Sequence, residues 1–153
     1  MENIMIGFAN VFQLSNLLVC IGGLFIGVLF GALPGFSATM AVAIFVPFTY
    51  VMEPGAALLL LSALYCGGVF GGSIPAVLVG IPGTPASAPT ALEGKALVRK
   101  GEAGRALNLV TLASCFGGFV SSVALLVCAP LLAKIAKLVG QPEQMFVALF
   151  GLS

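Results

Sequence analysis

The sequence lacks histidine and tryptophan, and it carries very few charged residues. Among its 153 residues, six are Lys or Arg and five are Asp or Glu. Charged residues make up 7% of the chain, against about 25% in an ordinary soluble protein. Without histidine, the chain has neither the usual general base nor the commonest zinc ligand. The net charge of +1 offers no basic surface for phosphates. These absences exclude a soluble globular domain, a disordered tail and a nucleic-acid-binding protein.

No set of catalytic side chains is visible. A serine hydrolase needs a histidine or lysine partner, and the lysines lie outside the apolar stretches. No pair of carboxylates lies within such a stretch, which excludes glycosidase and aspartic-protease chemistry. The glycine-rich run 67–73 lacks the Lys-Ser/Thr ending of a phosphate-binding loop. We therefore predict that the protein is not an enzyme and holds no resident metal or cofactor.

Long uncharged stretches dominate what is present. Residues 3–52, 54–92 and 106–133 contain no Asp, Glu, Lys or Arg. A helix needs about 20 apolar residues to cross the hydrocarbon core, and in lipid every backbone polar group must be satisfied internally. The first stretch has room for two crossings, the second for one long or broken span, and the third for one. The sequence predicts an all-α, polytopic transmembrane protein.

Glycine and proline divide these stretches into segments. Helices are predicted over 12–33, 36–52, 56–73 and 106–133. In the first helix, Gly23, Gly27 and Gly31 recur every four residues, a pattern that lets another helix approach closely. The tripeptide Leu33-Pro34-Gly35 ends this helix, and Glu53-Pro54-Gly55 is predicted to form a turn.

The segment 74–91 is unusual because it is rich in proline yet uncharged. Its four prolines cannot all lie in one continuous helix; they are Pro75, Pro82, Pro85 and Pro89. Irregular backbone at membrane depth is tolerated only inside protein or beside a wet cavity. We predict a broken or re-entrant element, with an extramembrane loop as the alternative. The apolar character of 74–81 favours the broken element.

Most of the charge lies in 92–105, which contains four of the six basic residues. The positive-inside rule therefore predicts a cytoplasmic loop here. Lys134 and Lys137 follow the next predicted helix and oppose this orientation if that helix crosses fully.

The remaining polar groups are those of the backbone, Ser and Thr, which suit ligand binding. Breaks in helices expose N–H groups that favour anions and carbonyl groups that suit Na⁺, an arrangement that transporters use near the bilayer midplane. Two of the three Pro-Gly pairs lie inside apolar segments and mark such breaks, with hydroxyl side chains nearby. They are Pro34-Gly35 and Pro82-Gly83, called the first and the second Pro-Gly pair. The predicted substrate-binding residues are Pro34, Gly35, Ser37, Ser73, Pro82, Gly83, Thr84 and Thr90. For each hydroxyl, the alternative role is a helix cap or a bond to the helix backbone.

Five motifs in this order resemble one family. They are Gly31-Ala-Leu-Pro-Gly35, Phe70-Gly-Gly-Ser-Ile-Pro-Ala76, Ile81-Pro-Gly-Thr-Pro85, Thr90-Ala-Leu-Glu-Gly94 and Arg99-Lys-Gly-Glu-Ala-Gly-Arg-Ala-Leu107. Together they are similar to the large membrane subunit, the TctA family, of tripartite tricarboxylate transporters. The resemblance covers essentially the whole chain and about the N-terminal third of a typical member. Phe70, Glu93 and Lys95 depart from the family pattern, in which Tyr, Asp and an aromatic residue are common at these positions.

The resemblance implies a multi-pass secondary transporter of the bacterial inner membrane. It would take up tricarboxylates or related carboxylates by symport, with Na⁺ or H⁺ as the coupling ion. Its implied partners are a periplasmic solute-binding protein and a small second membrane subunit. Ser73 and Thr84 are the residues most expected to contact substrate. Residues 1–153 would then be one membrane-embedded region, the N-terminal fragment of a larger transporter domain, and Met145 would begin a further apolar segment.

The alternative is a non-transporting membrane assembly subunit or a truncated remnant. A scaffold does not need helix breaks at mid-depth, whereas a transporter needs water to reach them. Labelling of a Ser87→Cys variant with a membrane-impermeant thiol reagent separates the two hypotheses. Transport predicts labelling, and a scaffold predicts protection.

Overall fold

A computed structural model of the chain describes residue 7 and residues 10–138, with side-chain surroundings as far as residue 129. Within these residues the secondary structure is helical, with no strand. The helices are α1 (Leu14–Ala32), α2 (Ala38–Thr49), α3 (Pro54–Gly71), α4 (Ser73–Leu78), α5 (Ala88–Arg99) and α6 (Ala103–Leu138), with a 3₁₀ turn at Pro85–Ser87 before α5. The predicted all-α fold is confirmed.

Three helical segments are long and apolar enough to cross a membrane. They are α1, the nearly continuous pair α3–α4 over Pro54–Leu78, and Ala103–Ala129 within α6. Many large apolar side chains on these segments are exposed, Phe25 and Phe116 among them. Such surfaces suit contact with lipid or with other apolar segments. The polytopic membrane fold predicted from the uncharged stretches is therefore confirmed.

Several predicted boundaries shift for local reasons. Helix α2 begins only at Ala38 because Ser37 is its N-cap, and the Ser37 Oγ accepts a hydrogen bond from the Met40 amide at 3.2 Å. The predicted turn at Glu53-Pro54-Gly55 is wrong. Pro54 instead begins α3, at a position where a missing N–H removes no helical hydrogen bond. Helix α6 also extends five residues past its predicted end. The apolar segment expected from Met145 lies outside the described residues.

The charged segment 92–105 is mostly helix rather than the predicted loop. Helix α5 runs to Arg99 and carries Pro89 in its first turn, where proline is well tolerated. Its Ala91 and Gly94 are buried, and a Cβ at Gly94 would lie 2.9 Å from the Cα of Val77 in α4. This close packing on α4 stabilises a helix that charge and low hydropathy alone do not indicate. A turn around Gly101, with φ of +80°, then leads into α6.

The chain forms two compact units, one up to Leu112 and the other from Ala113 onward. Within the second unit, the side chains over 113–129 are exposed. Ser121 and Ser122 donate hydrogen bonds to the Gly118 carbonyl at 3.0 Å and 2.8 Å. These hydroxyls are therefore satisfied by their own helix.

The first unit is organised by the packing of α1 against α3. Gly23, Gly27 and Gly31 of α1 are buried, as the spacing of four predicts. A Cβ placed at Gly27 would collide with the carbonyl oxygen of Leu64, and one at Gly67 would collide with that of Leu24. The two helix backbones are thus in direct contact. In lipid, where apolar burial gives little driving force between helices, such close packing is a main source of association energy.

We predict that Gly27→Ala lowers the free energy of unfolding by about 1–3 kcal/mol, the usual cost of overpacking. Gly22→Ala is the matched control, because a Cβ at Gly22 meets no atom within 4 Å. Since alanine is the better helix former, this control should be neutral or stabilising by up to about 1 kcal/mol. Thermal unfolding in detergent, followed by circular dichroism, compares the two. Equal effects from both substitutions would contradict the packing described.

Candidate functional site

The second Pro-Gly pair lies in a true helix break. Helix α4 has only six residues, and the Pro75 carbonyl accepts hydrogen bonds from the amides of Val79, Gly80 and Ile81 at 2.9, 3.1 and 3.4 Å. Gly80 has a φ of +77°, which favours glycine. The chain then stays irregular until the 3₁₀ turn at Pro85–Ser87. The predicted break in the helix within 74–91 is confirmed, and its location at membrane depth stays a prediction.

A buried pair of hydroxyls closes this break. Ser87 Oγ donates to the Thr84 carbonyl at 2.8 Å and accepts from the Thr84 amide at 3.2 Å. The two hydroxyl oxygens are also 3.3 Å apart. Both residues are almost fully buried, at 6% exposure for Thr84 and 2% for Ser87. The pair is a capping box, which satisfies polar groups that would otherwise be unpaired away from water.

The break is fixed to α1 and α3 through glycines. The Gly83 amide donates to the Gly72 carbonyl at 3.2 Å. A Cβ at Gly72 would lie 2.8 Å from Thr84 Cγ2, and a Cβ at Gly83 would lie 2.5 Å from the Gly31 carbonyl oxygen. We call Gly31, Gly72 and Gly83 the glycine junction. It joins the end of α1, the link between α3 and α4, and the second Pro-Gly pair.

The first break lies close to the same end of α3. Gly35 has a φ of +96°, which lets the chain reverse before Ser37 caps α2. The Ser37 and Thr39 hydroxyls share a hydrogen bond of 2.8 Å. The next residue, Ala38, packs against α3, because a Cβ at Gly68 would lie 2.7 Å from its Cβ. Gly68 precedes Gly72 by about one helical turn, roughly 6 Å along the axis.

The predicted site residues therefore fall into groups. Gly83 and Thr84 pack against Gly72, the residue directly before Ser73. Ser73 is buried, and its hydroxyl makes no hydrogen bond within the part of the chain described here. Ser37 is half-buried, and its neighbour Ala38 packs at Gly68, about one turn of α3 from Gly72.

The other predicted residues are less enclosed. Pro34, Gly35 and Pro82 are exposed. Thr90 lies half-buried in the first turn of α5, and its side chain forms no hydrogen bond within the described residues.

A cavity of about 260 Å³ lies between the two breaks. Its lining is apolar and consists of Ala32, Pro34, Ile74, Pro75, Leu78, Val79 and Ile81. Pro34 is the only predicted site residue in this lining. A carboxylate without hydrogen-bond donors is costly to bury, so the cavity does not suit an anion. The polar groups lie beside the cavity rather than in it.

Two contributors to the site were missing from the predicted set. Ser87 holds Thr84 by hydrogen bonds, and Thr84 and Gly83 both pack against Gly72. The spacing Thr84-x-x-Ser87 resembles the capping-box pattern and could have indicated the first. The glycine pairs four residues apart within 67–72 could have indicated a close helix contact, but not the segment that makes it.

The comparison with known protein families decides which family this chain belongs to. A sequence profile described as the tripartite tricarboxylate transporter TctA family matches residues 17–153. This chain belongs to that family. The resemblance carried by the five motifs is thereby confirmed.

A curated relative of this TctA chain is an uncharacterised 52.8 kDa protein encoded in the TAR-I ttuC' 3' region of Agrobacterium vitis. The two are 38% identical over 151 residues, which cover 99% of this chain and 30% of the relative. The TctA chain thus spans about a third of the length of that relative. No solved structure is significantly similar to it.

The burial of Ser87 changes the labelling experiment suggested by the sequence. A Ser87→Cys substitution would replace the hydroxyl that accepts from the Thr84 amide with a larger and weaker acceptor, and so would disturb the break under study. Ala86 is exposed and belongs to the same 3₁₀ turn. An Ala86→Cys variant is therefore the better probe of water access.

We predict that Ser87→Ala loosens the second break. It leaves the buried Thr84 amide and hydroxyl without their acceptor, at a cost of about 1–3 kcal/mol. Hydrogen exchange measured by mass spectrometry should become faster in peptides covering 82–91. Ser62→Ala is the control, because Ser62 is exposed on α3. An unchanged exchange rate in 82–91 would show that the capping box does not hold this segment.

Proposed function

We propose that the chain forms part of the large membrane subunit of a cation-coupled secondary transporter in the bacterial inner membrane. The transporter takes up tricarboxylates or related carboxylates. It works with a periplasmic solute-binding protein and a small second membrane subunit. Membership of the TctA family supports this proposal at the level of the transporter class.

One observation supports the proposal at the level of residues: two helix N-termini pack close together on α3. The N-terminus of α2 packs at Gly68, and the 3₁₀ turn that leads into α5 packs at Gly72. Helix N-termini carry partial positive charge and free N–H groups, which favour carboxylates. The three candidate membrane-spanning segments contain one charged residue over their described side chains, Arg105 near the start of α6. Within these segments, backbone dipoles and hydroxyls are therefore the main groups that can balance substrate charge.

The two helix starts differ in the donors that they offer. Pro85 and Pro89 have no N–H, and the amides of Thr84 and Ser87 already donate within the break. In α2, the amides of Ala38 and Thr39 precede the first intrahelical bond, which the Ala41 amide makes to Ser37. We propose that the start of α2 supplies the main backbone donors for the anion. Ser73 then contributes its hydroxyl from the second break, and Thr84 does so when its O–H turns from Ser87 Oγ toward the anion.

Coupling to a cation follows from the charge of the substrate. Moving one negative charge inward against the membrane potential costs about 2.3 kcal/mol per 100 mV. A tricarboxylate carries several such charges, so co-transported Na⁺ or H⁺ must offset them. Carbonyl groups at the C-terminal ends of broken helices suit Na⁺ in such transporters.

We predict that Ser73→Ala and Thr84→Ala each raise the KM for citrate uptake roughly tenfold. A hydrogen bond to a charged group is worth about 1.5–3 kcal/mol, and tenfold corresponds to about 1.4 kcal/mol. The variants are made at the chromosomal locus, so that all natural partners and adjoining sequence are present. Uptake of radiolabelled citrate is measured in Na⁺ and in K⁺ buffer, with unlabelled di- and tricarboxylates as competitors.

Ser62→Ala should retain the wild-type KM, because Ser62 is exposed on α3 away from both breaks. Unchanged KM values for both Ser73→Ala and Thr84→Ala would remove these residues from the substrate site. If wild-type cells accumulate no carboxylate faster than a strain with the locus deleted, the non-transporting assembly role would replace the transporter.

A further inference from the structure

The glycine junction brings three stretches of bare backbone together. A Cβ at Gly31 would collide with the Gly68 carbonyl and lie 2.9 Å from the Gly72 amide nitrogen. A Cβ at Gly83 would lie 2.5 Å from the Gly31 oxygen and 2.8 Å from the Gly72 Cα. Real Cβ atoms do not approach backbone so closely. Each glycine is therefore required by its neighbours in the junction, independently of its own backbone angles.

Not every glycine in the same unit is crowded in this way. A Cβ at Gly22, Gly35 or Gly55 would meet no atom within 4 Å. Gly35, although it follows Pro34 as Gly83 follows Pro82, serves a turn with positive φ rather than a close contact. The two Pro-Gly pairs are thus similar in sequence and different in role.

We infer that Gly31, Gly72 and Gly83 are positioning residues of the substrate site: their close backbone contacts hold the two Pro-Gly breaks together and fix Thr84 beside the end of α1. This inference rests on the proposed transport function. The hydrogen bond between Gly83 and Gly72 fixes the position of the second break along α3. Gly31 fixes the same segment against α1, the helix that leads directly into the first break.

The glycine junction contacts Thr84 directly through Gly72. A Cβ at Gly72 would lie 2.8 Å from Thr84 Cγ2, 2.9 Å from its Oγ1 and 3.0 Å from its amide nitrogen. A methyl group at this position must therefore displace Thr84 as a whole, and with it the capping box to Ser87. A displacement of about 1 Å in a positioned group can cost up to a hundredfold in rate.

Transport kinetics distinguish a positioning role of the glycine junction from a contribution to protein stability alone. Gly72→Ala and Gly27→Ala both introduce a methyl group into the contacts of α3, but only the first touches the second break. We expect Gly72→Ala to raise the KM for citrate at least tenfold. Gly27→Ala should lower the thermal stability and the amount of protein in the membrane, yet leave the KM within twofold of wild type.

A cross-linking experiment tests the junction without any substrate. Pro34 and Ile81 line the same cavity from the two breaks, so a Pro34→Cys, Ile81→Cys pair should be joined by a short bis-maleimide. All cysteines of the full-length protein, with Cys20, Cys66, Cys115 and Cys128 among them, are first replaced by alanine. The reaction is carried out in native membranes and normalised to the amount of full-length protein. Gly83→Ala should reduce the cross-linked fraction at least threefold, whereas Gly27→Ala should not.

The outcomes distinguish this inference from the proposed function. Unchanged cross-linking in Gly83→Ala would overturn the positioning role, as would an equal rise in KM for Gly72→Ala and Gly27→Ala. If wild-type cells take up no carboxylate but cross-linking still depends on Gly83, the junction stands and carboxylate transport falls.

Discussion

The direct contact between the backbones of α1 and α3 is the constraint on which the first unit depends. Side chains normally keep helices about 8–10 Å apart, but here glycines remove them on both sides. The contact continues past the end of α1, where Gly31 meets Gly72 and the second Pro-Gly pair. One row of glycines thus builds the helix pair and also places an irregular segment against it. The substrate site proposed here is an extension of helix packing rather than a separate structure.

Much of the helical arrangement could be predicted from the sequence, because uncharged length, glycine spacing and proline position act locally. The stripe at Gly23, Gly27 and Gly31 indicates a close contact, and the prolines of 74–91 indicate a break. The partner of each surface could not be predicted, since spacing describes one helix face and says nothing of what meets it. The role of Ser87 was missed although its spacing from Thr84 fits a capping box, because serine stands where that pattern usually has Glu or Gln.

The errors have physical reasons of the same kind. Pro54-Gly55 reads as a turn, but a proline in the first turn of a helix has no hydrogen bond to lose. The segment 92–105 reads as a loop because it is charged, yet Gly94 allows it to pack on α4. Position within the helix decides the first case, and packing against another helix decides the second. The substrate-binding roles of the hydroxyls remain predictions that only transport measurements test.

The prolines of the second break also affect how this segment enters a membrane. In hydrocarbon, each backbone N–H without an acceptor costs several kcal/mol. Imino acids at 85 and 89 have no such proton, and the capping box consumes those of Thr84 and Ser87. The irregular segment therefore leaves few N–H groups unpaired. Proline, which disrupts helices in water, would here lower the free energy of transferring a non-helical chain into lipid.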